Sequence, residues 1–496
     1  MNTSACFNLK RAAAPGVCVV VAFLLGCEPR QQRGPFDPWM DSTPPHVESA
    51  EAVTGTAAVA ESVGAPPELP DDAGVKAYVA LALRRNPAIR AAGRKVARLW
   101  QRVPQVRSLE DPVFMVAPAG EMAETAAGMV GLTAGMSQTL PLPAKLDARG
   151  RIAAQEAAVA TAELKQTRIS VAADTRRAFW SYYFATRGLE VIEVDRKLIG
   201  QFRQVAESKY KSGTATQQDV LRASVELSNL DNRLITLRQQ QTSAVAMLNR
   251  QLDRPIDAPL PRPRPVKAQS IALRLEALLA EAWQSNPQLA AVHRRIEAQR
   301  QRLRLARLQR WPDLTVSVNY AAVEDEGHAV MPTGDDQWWV GLGINLPIWL
   351  PKLKAAEQEA REGIFEGLAE LNSEQNAVAF RVQDALVKVE TQQRLTTLFR
   401  DVIVPQARQT VEVSASGYRA GSVSFLTLVD NWRKLLDFEL LYHMSLAQLE
   451  QHFAELQHAV GRDVARTRDA TPHGQQDSAD VRPPVKERDA EVPVTH

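Results

Sequence analysis

From Leu314 the chain alternates strictly, with Leu314, Val316, Val318 and Tyr320 apolar and Thr315, Ser317 and Asn319 polar between them. A second alternation runs through Trp338, Val340, Leu342, Ile344 and Leu346, with Gly341, Gly343 and Asn345 between. A period of two predicts strands with one apolar face. The polar stretch EDEGHAVMPTGDD separates them and suits a hairpin connection. Earlier in the chain Val130, Leu132, Ala134 and Met136 alternate with Gly131, Thr133, Gly135 and Ser137, preceded by a weaker strand near Val113 to Ala117.

Elsewhere the period is that of long helices. Apolar residues recur in steps of three and four at Phe425, Leu428, Trp432, Leu435, Tyr442, Leu446, Leu449, Phe453, Leu456 and Val460, with Glu439 alone breaking the seam. The rhythm repeats at Val220, Ala223, Leu227, Leu230, Leu234, Leu237, Ala244 and Leu248. This is heptad packing, although shorter helices of an ordinary bundle would share the period. Proline-free from Arg149 to Lys211, the chain can hold one helix of roughly 90 Å there. Pro112 and Pro312 mark helix-to-strand junctions, and Pro141 with Pro143 and Pro347 with Pro351 mark strand-to-helix junctions. Pro405, inside the last long helical pattern, predicts a kink or a split.

These elements occur twice. KYKSGTATQQDVL echoes GYRAGSVSFLTLV, with Gly213 matching Gly421. Asn86-Pro87 matches Asn286-Pro287, and Leu140-Pro141 matches Leu346-Pro347. Three landmarks in one order, each displaced by roughly 200 residues, read as a duplicated half rather than a solenoid repeat. Each half predicts helix, strand, strand, long helix, turn, helix. In the turns, Gly213 and Gly421 suit a left-handed helix end, with Thr214 or Thr216 and Ser422 or Ser424 capping the next helix.

Composition refines this outline. Lys10 and Arg11 followed by an apolar run from Val17 to Leu25 predict an export signal. Leu24-Leu25-Gly26-Cys27 resembles a bacterial lipobox, which implies cleavage before Cys27 and diacylglycerol plus an N-acyl chain on its thiol and amine. All three cysteines, Cys6, Cys18 and Cys27, lie in this leader, so a processed chain keeps one and forms no internal disulfide. The expected organisation is a signal peptide at 1–26, a lipid-anchored flexible linker at 27–72, repeats at 73–262 and 263–462, and a disordered tail at 463–496. Charge balances at 59 basic against 57 acidic residues, which gives no field for nucleic acid.

Strands of about ten residues have the length to cross a bilayer when tilted. Four per chain cannot close a barrel, which starts at about eight, and an open edge is not tolerated in lipid. The pattern therefore predicts an oligomer in which each chain gives four staves. Trp338, Trp339 and Trp349 near the strand ends fit an interfacial aromatic belt or a plain core role.

The duplicated order, the paired NP segments, the paired LP strand exits and the paired Tyr-x-x-Gly turns (Tyr210 with Gly213, Tyr418 with Gly421) resemble the TolC-type outer-membrane efflux family, specifically its lipoprotein branch. SQTLPLPAKL and FLTLVD are similar to its heavy-metal subgroup. The resemblance implies a mainly α fold with a transmembrane β-barrel portion: a homotrimer with one twelve-stranded barrel in the cell outer membrane, continued by an α-helical tunnel in the periplasm. It implies partners as well, a periplasmic adaptor and an inner-membrane efflux pump. It further implies closure at the periplasmic tip by inward carboxylates. Asp430 occupies one such position, Thr427 the place of a second aspartate, and Asp219 is the comparable residue of the first half. A helix-start aspartate also serves as a cap, and both roles remain open at Asp219 and Asp430.

No catalytic residues, bound cofactor or resident metal site are expected. His443, His452 and His458 are spaced nine and six apart, which does not put all three on one helix face, and there is neither a phosphate-binding glycine loop nor an HExxH motif. The competing readings are a periplasmic adaptor, which would carry a single hairpin, a non-conducting lipid-anchored coiled-coil scaffold, and, more distantly, a lipid-anchored enzyme.

Overall fold

The computed structural model describes residues 69–70, 73–118, 124–266, 269, 271–325 and 333–466. Cys27, the signal and linker around it and the tail from 467 lie outside them. Each repeat begins with two helices that meet at an Asn-Pro step: α1 (Val75–Arg85) and α2 (Pro87–Arg107), then α5 (Leu275–Ser285) and α6 (Pro287–Leu308). The sequence pattern predicts one helix at each place. A residue before proline is driven out of the α region, and Asn86 and Asn286 both have extended ψ, near 125° and 119°. Each Asn Oδ1 accepts from an amide of the following helix, Ala88 in one case and Gln288 in the other.

The strands form one antiparallel sheet in the order β1 (Val113–Pro118), β3 (Gly128–Leu140), β4 (Leu314–Glu324), β5 (Gln337–Ile344), with the two-residue β2 (Glu124–Thr125) paired to β3. Each repeat gives one pair, and β3 joins β4 across the repeats. β5 stops at Ile344, two residues short of the apolar alternation, because Asn345 turns to Asp313: its amide donates to the Asp313 carbonyl and its side chain accepts from the Asp313 amide. Lys145, buried at the start of the next helix, locks the same corner by donating to the Trp311 carbonyl and to Asp313 Oδ1, both at 2.7 Å.

From this sheet the chain runs into α3 (Pro143–Lys211), whose 69 residues reach roughly 100 Å, and returns along α4 (Gln217–Leu252). The second repeat runs down α7 (Leu350–Leu398) and α8 (Val404–Ala420) and returns along α9 (Phe425–Val460). Between α7 and α8 lies a π-helical turn, Phe399–Ile403. It ends two residues before Pro405, whose ring would clash with the carbonyl four residues back in a continuous α-helix; the wider turn accommodates it without breaking the rod.

The heptad seam of α9 is the core. Phe425, Leu428, Trp432, Leu435, Leu446, Leu449, Phe453, Leu456 and Val460 are all buried, while Glu439 is half-buried and held by Arg408 at 2.7 Å. The lower part packs with Ile192, Ile199, Phe202 and Leu230, and the upper part with Leu278, Leu289, Val378 and Val382. Burying such a side chain is worth about 1.5–3 kcal/mol each, which is why the hairpins stay zipped over this length.

Candidate functional site: the strand wall and the two helical turns

Register sorts the sheet into two faces. Leu314 pairs with Ile344, Val316 with Leu342, Val318 with Val340 and Tyr320 with Trp338, so the apolar residues of β4 and β5 share one side. β3 continues that side with Ala134, Met136 and Leu140, and β1 with Phe114 and Val116. These residues are largely solvent-exposed in the single chain, Leu342 at 75% and Phe114 at 69%. The other side carries Ser137, Thr139, Thr315, Ser317 and Asn319 with Gly135, Gly341 and Gly343 across from them, and near the sheet's outer edges also Val113, Met115 and Trp339. A Cβ on Gly341 would meet Ser317 Oγ at 2.5 Å and one on Gly135 would meet Asn319 Oδ1 at 2.6 Å, so the glycines make room for the polar side chains.

A bulge at Gly131 shifts this alternation near the hairpin end. Val130 thereby joins Ala321 and Val323 in a small buried cluster on the otherwise polar side. The outer strands β1 and β5 each keep one edge without a partner among the described residues. Trp338 and Trp339, both exposed, stand at the hairpin end of β5, while Trp349 (70% exposed) and Trp311 (63%) stand where the helices begin. Six residues of β5, about 20 Å at the strand rise, separate Trp338 from Ile344, and Trp349 and Trp311 stand a few residues beyond the strands. None of the three predicted tryptophans is buried within the chain.

At the far end of the rods the two turns are built alike. Gly213 and Gly421 have φ of 74° and 84°, the left-handed conformation that ends α3 and α8. Thr216 caps α4 in a capping box whose other member is Asp219, and Ser424 caps α9 by accepting from the Thr427 amide at 3.2 Å. Thr427 Oγ1 lies 2.9 Å from Ser424 Oγ. Tyr210 is exposed, whereas its counterpart Tyr418 is buried to 5% against Phe425. Lys209 ties the turns together, its ammonium donating to the Tyr418 carbonyl and lying 4.7 Å above the Tyr418 ring.

Asp430 faces Arg433 at 3.3 Å, and the same guanidinium grips the buried Glu226 of α4. The Asp430 pairing is an i,i+3 contact within α9 that sequence spacing allows, whereas the bond to Glu226 joins different repeats and has no local signal. Higher in the rods, Trp432 Nε1 donates to the buried Asp195 at 2.6 Å; burial pushes this carboxyl up to about 6. His443, packed against Tyr183 and Tyr442, is pushed down to about 4 by burial, and Arg187 adds to the shift. His458 sits 3.0 Å from Ser170 and Gln166, and His452 pairs with Glu455, so the three histidines serve three different contacts. No group of three or more metal-ligating side chains occurs among the described residues, and none of the described helices is long and apolar enough to cross a membrane.

Comparison with known proteins matches the family model "Outer membrane efflux protein" to two segments, 78–252 and 278–462. The cobalt-zinc-cadmium resistance protein CzcC of Cupriavidus metallidurans is 23% identical over 435 residues, 84% of this chain and 96% of that protein. The outer membrane protein VceC of Vibrio cholerae superposes with a TM-score of 0.65 at 18% identity, covering 78% of this chain and 96% of VceC. CusC, whose structures describe folding and transmembrane channel formation, superposes at 0.67 with 15% identity, covering 79% and 93%.

Proposed function

The chain belongs to the outer membrane efflux protein family, and on that premise we propose that three copies close one twelve-stranded barrel in the outer membrane and one helical tunnel beneath it. The observation that carries this reading is the sheet: β3 and β4, thirteen and eleven residues long, have the length to cross a bilayer, β1 and β5 are shorter than the sequence pattern predicts at six and eight, one side is apolar, the other largely polar, and two open edges can be filled by neighbouring copies. The apolar residues left exposed on the rods, among them Leu221, Val225, Ile235, Phe380 and Val413, supply the surface along which copies pack.

In this role the protein is a passive duct. Substrate arrives from an inner-membrane pump through a periplasmic adaptor that docks on the helical tips, and Asp430 with its symmetry mates forms a carboxylate ring that favours cations. Divalent metal cations are the cargo best supported, through the role printed for the Cupriavidus relative. A diacylglycerol on Cys27 tethers each copy to the same membrane.

Fractionation of the outer membrane followed by single-channel recording tests the proposal. Conducting steps from purified protein support the duct, and a membrane-anchored protein that never conducts returns the case to the adaptor or scaffold. For the cargo, deletion is expected to sensitise cells to zinc, cobalt or cadmium; unchanged tolerance to all three would remove that assignment.

A further inference from the structure

Beneath the strand wall, three guanidiniums converge on one carboxylate. Arg307 and Arg310, from the end of α6 and the turn after it, reach Glu357 at 3.1 and 2.7 Å, and Arg361 reaches it at 2.8 Å. Their bonds, that of Arg307 first, hold the Glu357 carboxyl below its usual range. Three positive charges on one negative leave an excess, and Arg304 and Lys354 beside them make no ion pair among the described residues.

The cluster has a definite side. Helices α3, α6 and α7 enclose a groove lined by Glu156, Arg295, Gln299, Arg302, Glu366 and Glu370. Glu357 precedes Glu366 by nine residues, and Arg304 follows Arg295 by nine, a rotation of about 180° on an α-helix. Arg304 and Glu357 are therefore turned away from the groove residues Arg295 and Glu366. It also has a definite depth. Exposed Trp311 directly follows Arg310, the first strand residue, Leu314, comes four residues after it, and Arg304 stands ten residues before the strand, about 15 Å at the helical rise. A headgroup layer extends about 5–7 Å beyond the hydrocarbon, so Arg310 lies at its level, Arg304 and Arg307 lie deeper, and Lys354 and Arg361, on a helix whose N-terminus is at the strand end, lean toward it.

We propose that Arg304, Arg307, Arg310, Arg361 and Lys354 form a collar that binds the phosphate groups of anionic phospholipids in the leaflet on the helical side of the membrane. Planar guanidiniums hold phosphate oxygens in pairs, and Trp311 sits at the level where such groups meet the acyl region. The collar rests on the reading of the strands as membrane-embedded. It adds a lipid requirement, fixing how far the barrel sinks.

The test is native mass spectrometry of the full chain purified in detergent, titrated with phosphatidylglycerol or with phosphatidylcholine, and in parallel with inorganic phosphate as competitor. Phosphatidylglycerol is expected to bind about fivefold better than phosphatidylcholine, and the pair Arg304→Gln with Lys354→Gln, which breaks no ion pair, to lower its binding about threefold. Lys434→Gln with Lys197→Gln, an equal charge loss on remote parts of α9 and α3, is expected to change nothing. Equal binding of the two lipids, an unaffected double variant, or displacement by equimolar inorganic phosphate, which marks a free-anion site, would overturn the collar. Oligomer mass and conductance come from the same samples: an intact conducting oligomer indifferent to lipid charge rejects the collar alone, whereas a non-conducting monomer rejects the premise.

Discussion

The side-chain amide of Asn286 donates to the carbonyl oxygen of Ala459 at 2.9 Å, in the buried corner where the second repeat ends beside its own beginning. Asn86 makes the equivalent bond to the Gln251 carbonyl at 3.0 Å in the first repeat. Each asparagine thus caps one helix with its oxygen and fastens the end of another with its nitrogen. Asn286→Ala removes both and is expected to cost about 2–3 kcal/mol, a cap plus an orphaned buried carbonyl. Asn286→Ser keeps a capping oxygen but is too short to reach Ala459, so about half that loss is expected. Denaturant unfolding followed by circular dichroism reads both.

That corner also shows what the sequence makes legible. The strands and the heptad seam were readable because their side chains answer to a local period: Leu314 through Tyr320 for the sheet, Phe425 through Val460 for the rods. The Asn-Pro steps were visible as repeats, yet their effect, two helices rather than one, depends on backbone exclusion before proline. The end of β5 at Ile344, the π turn before Pro405 and the Lys145 lock were hidden for a different reason. The strand end and the lock are decided by a partner far along the chain, Asp313, which captures both Asn345 and Lys145, while the π turn is one of several local ways a helix can absorb Pro405. At the tip, positions 430 and 427 could be located by counting from Gly421, and Arg433 lies one turn after Asp430, but its second grip on Glu226, 207 residues away, has no local signal.

Asp195 and His443 oppose each other in pH. Asp195 rises from 3.8 to about 6 on folding, so the native state holds its proton more tightly, and its contribution is lost as pH climbs through that window. His443 falls from 6.5 to about 4, so the unfolded state binds more protons and stability grows with pH across nearly the same range. Asp195→Asn should leave a profile that rises by up to about 3 kcal/mol between pH 4 and 6.5, and His443→Phe one that falls. Melting temperatures across that range check the signs; parallel profiles for both variants would refute the assignment.

Arg433 holds Asp430 and Glu226 at once. Arg433→Gln releases two carboxylates, so block of the channel by divalent cations is expected at roughly threefold lower concentration, while Asp430→Ala shifts block in the opposite direction. Planar-bilayer titration measures both. Unchanged block in Asp430→Ala would remove this residue from the gate.

The two sides of the sheet predict different penalties. Leu342→Arg puts a charge on the apolar side at a cost of about 2–4 kcal/mol in lipid, and the outer-membrane fraction should fall sharply. Thr315→Lys, on the polar side, should assemble normally and shift selectivity toward anions. Equal assembly of both would mean that the apolar side does not meet lipid.

Everything converges on the open edges of β1 and β5. The direct measurement is the mass of the purified particle with its need for detergent, after enzymatic removal of any acyl chains. Three copies that aggregate once detergent is withdrawn are predicted. A single chain that stays monodisperse in plain buffer would contradict the shared barrel.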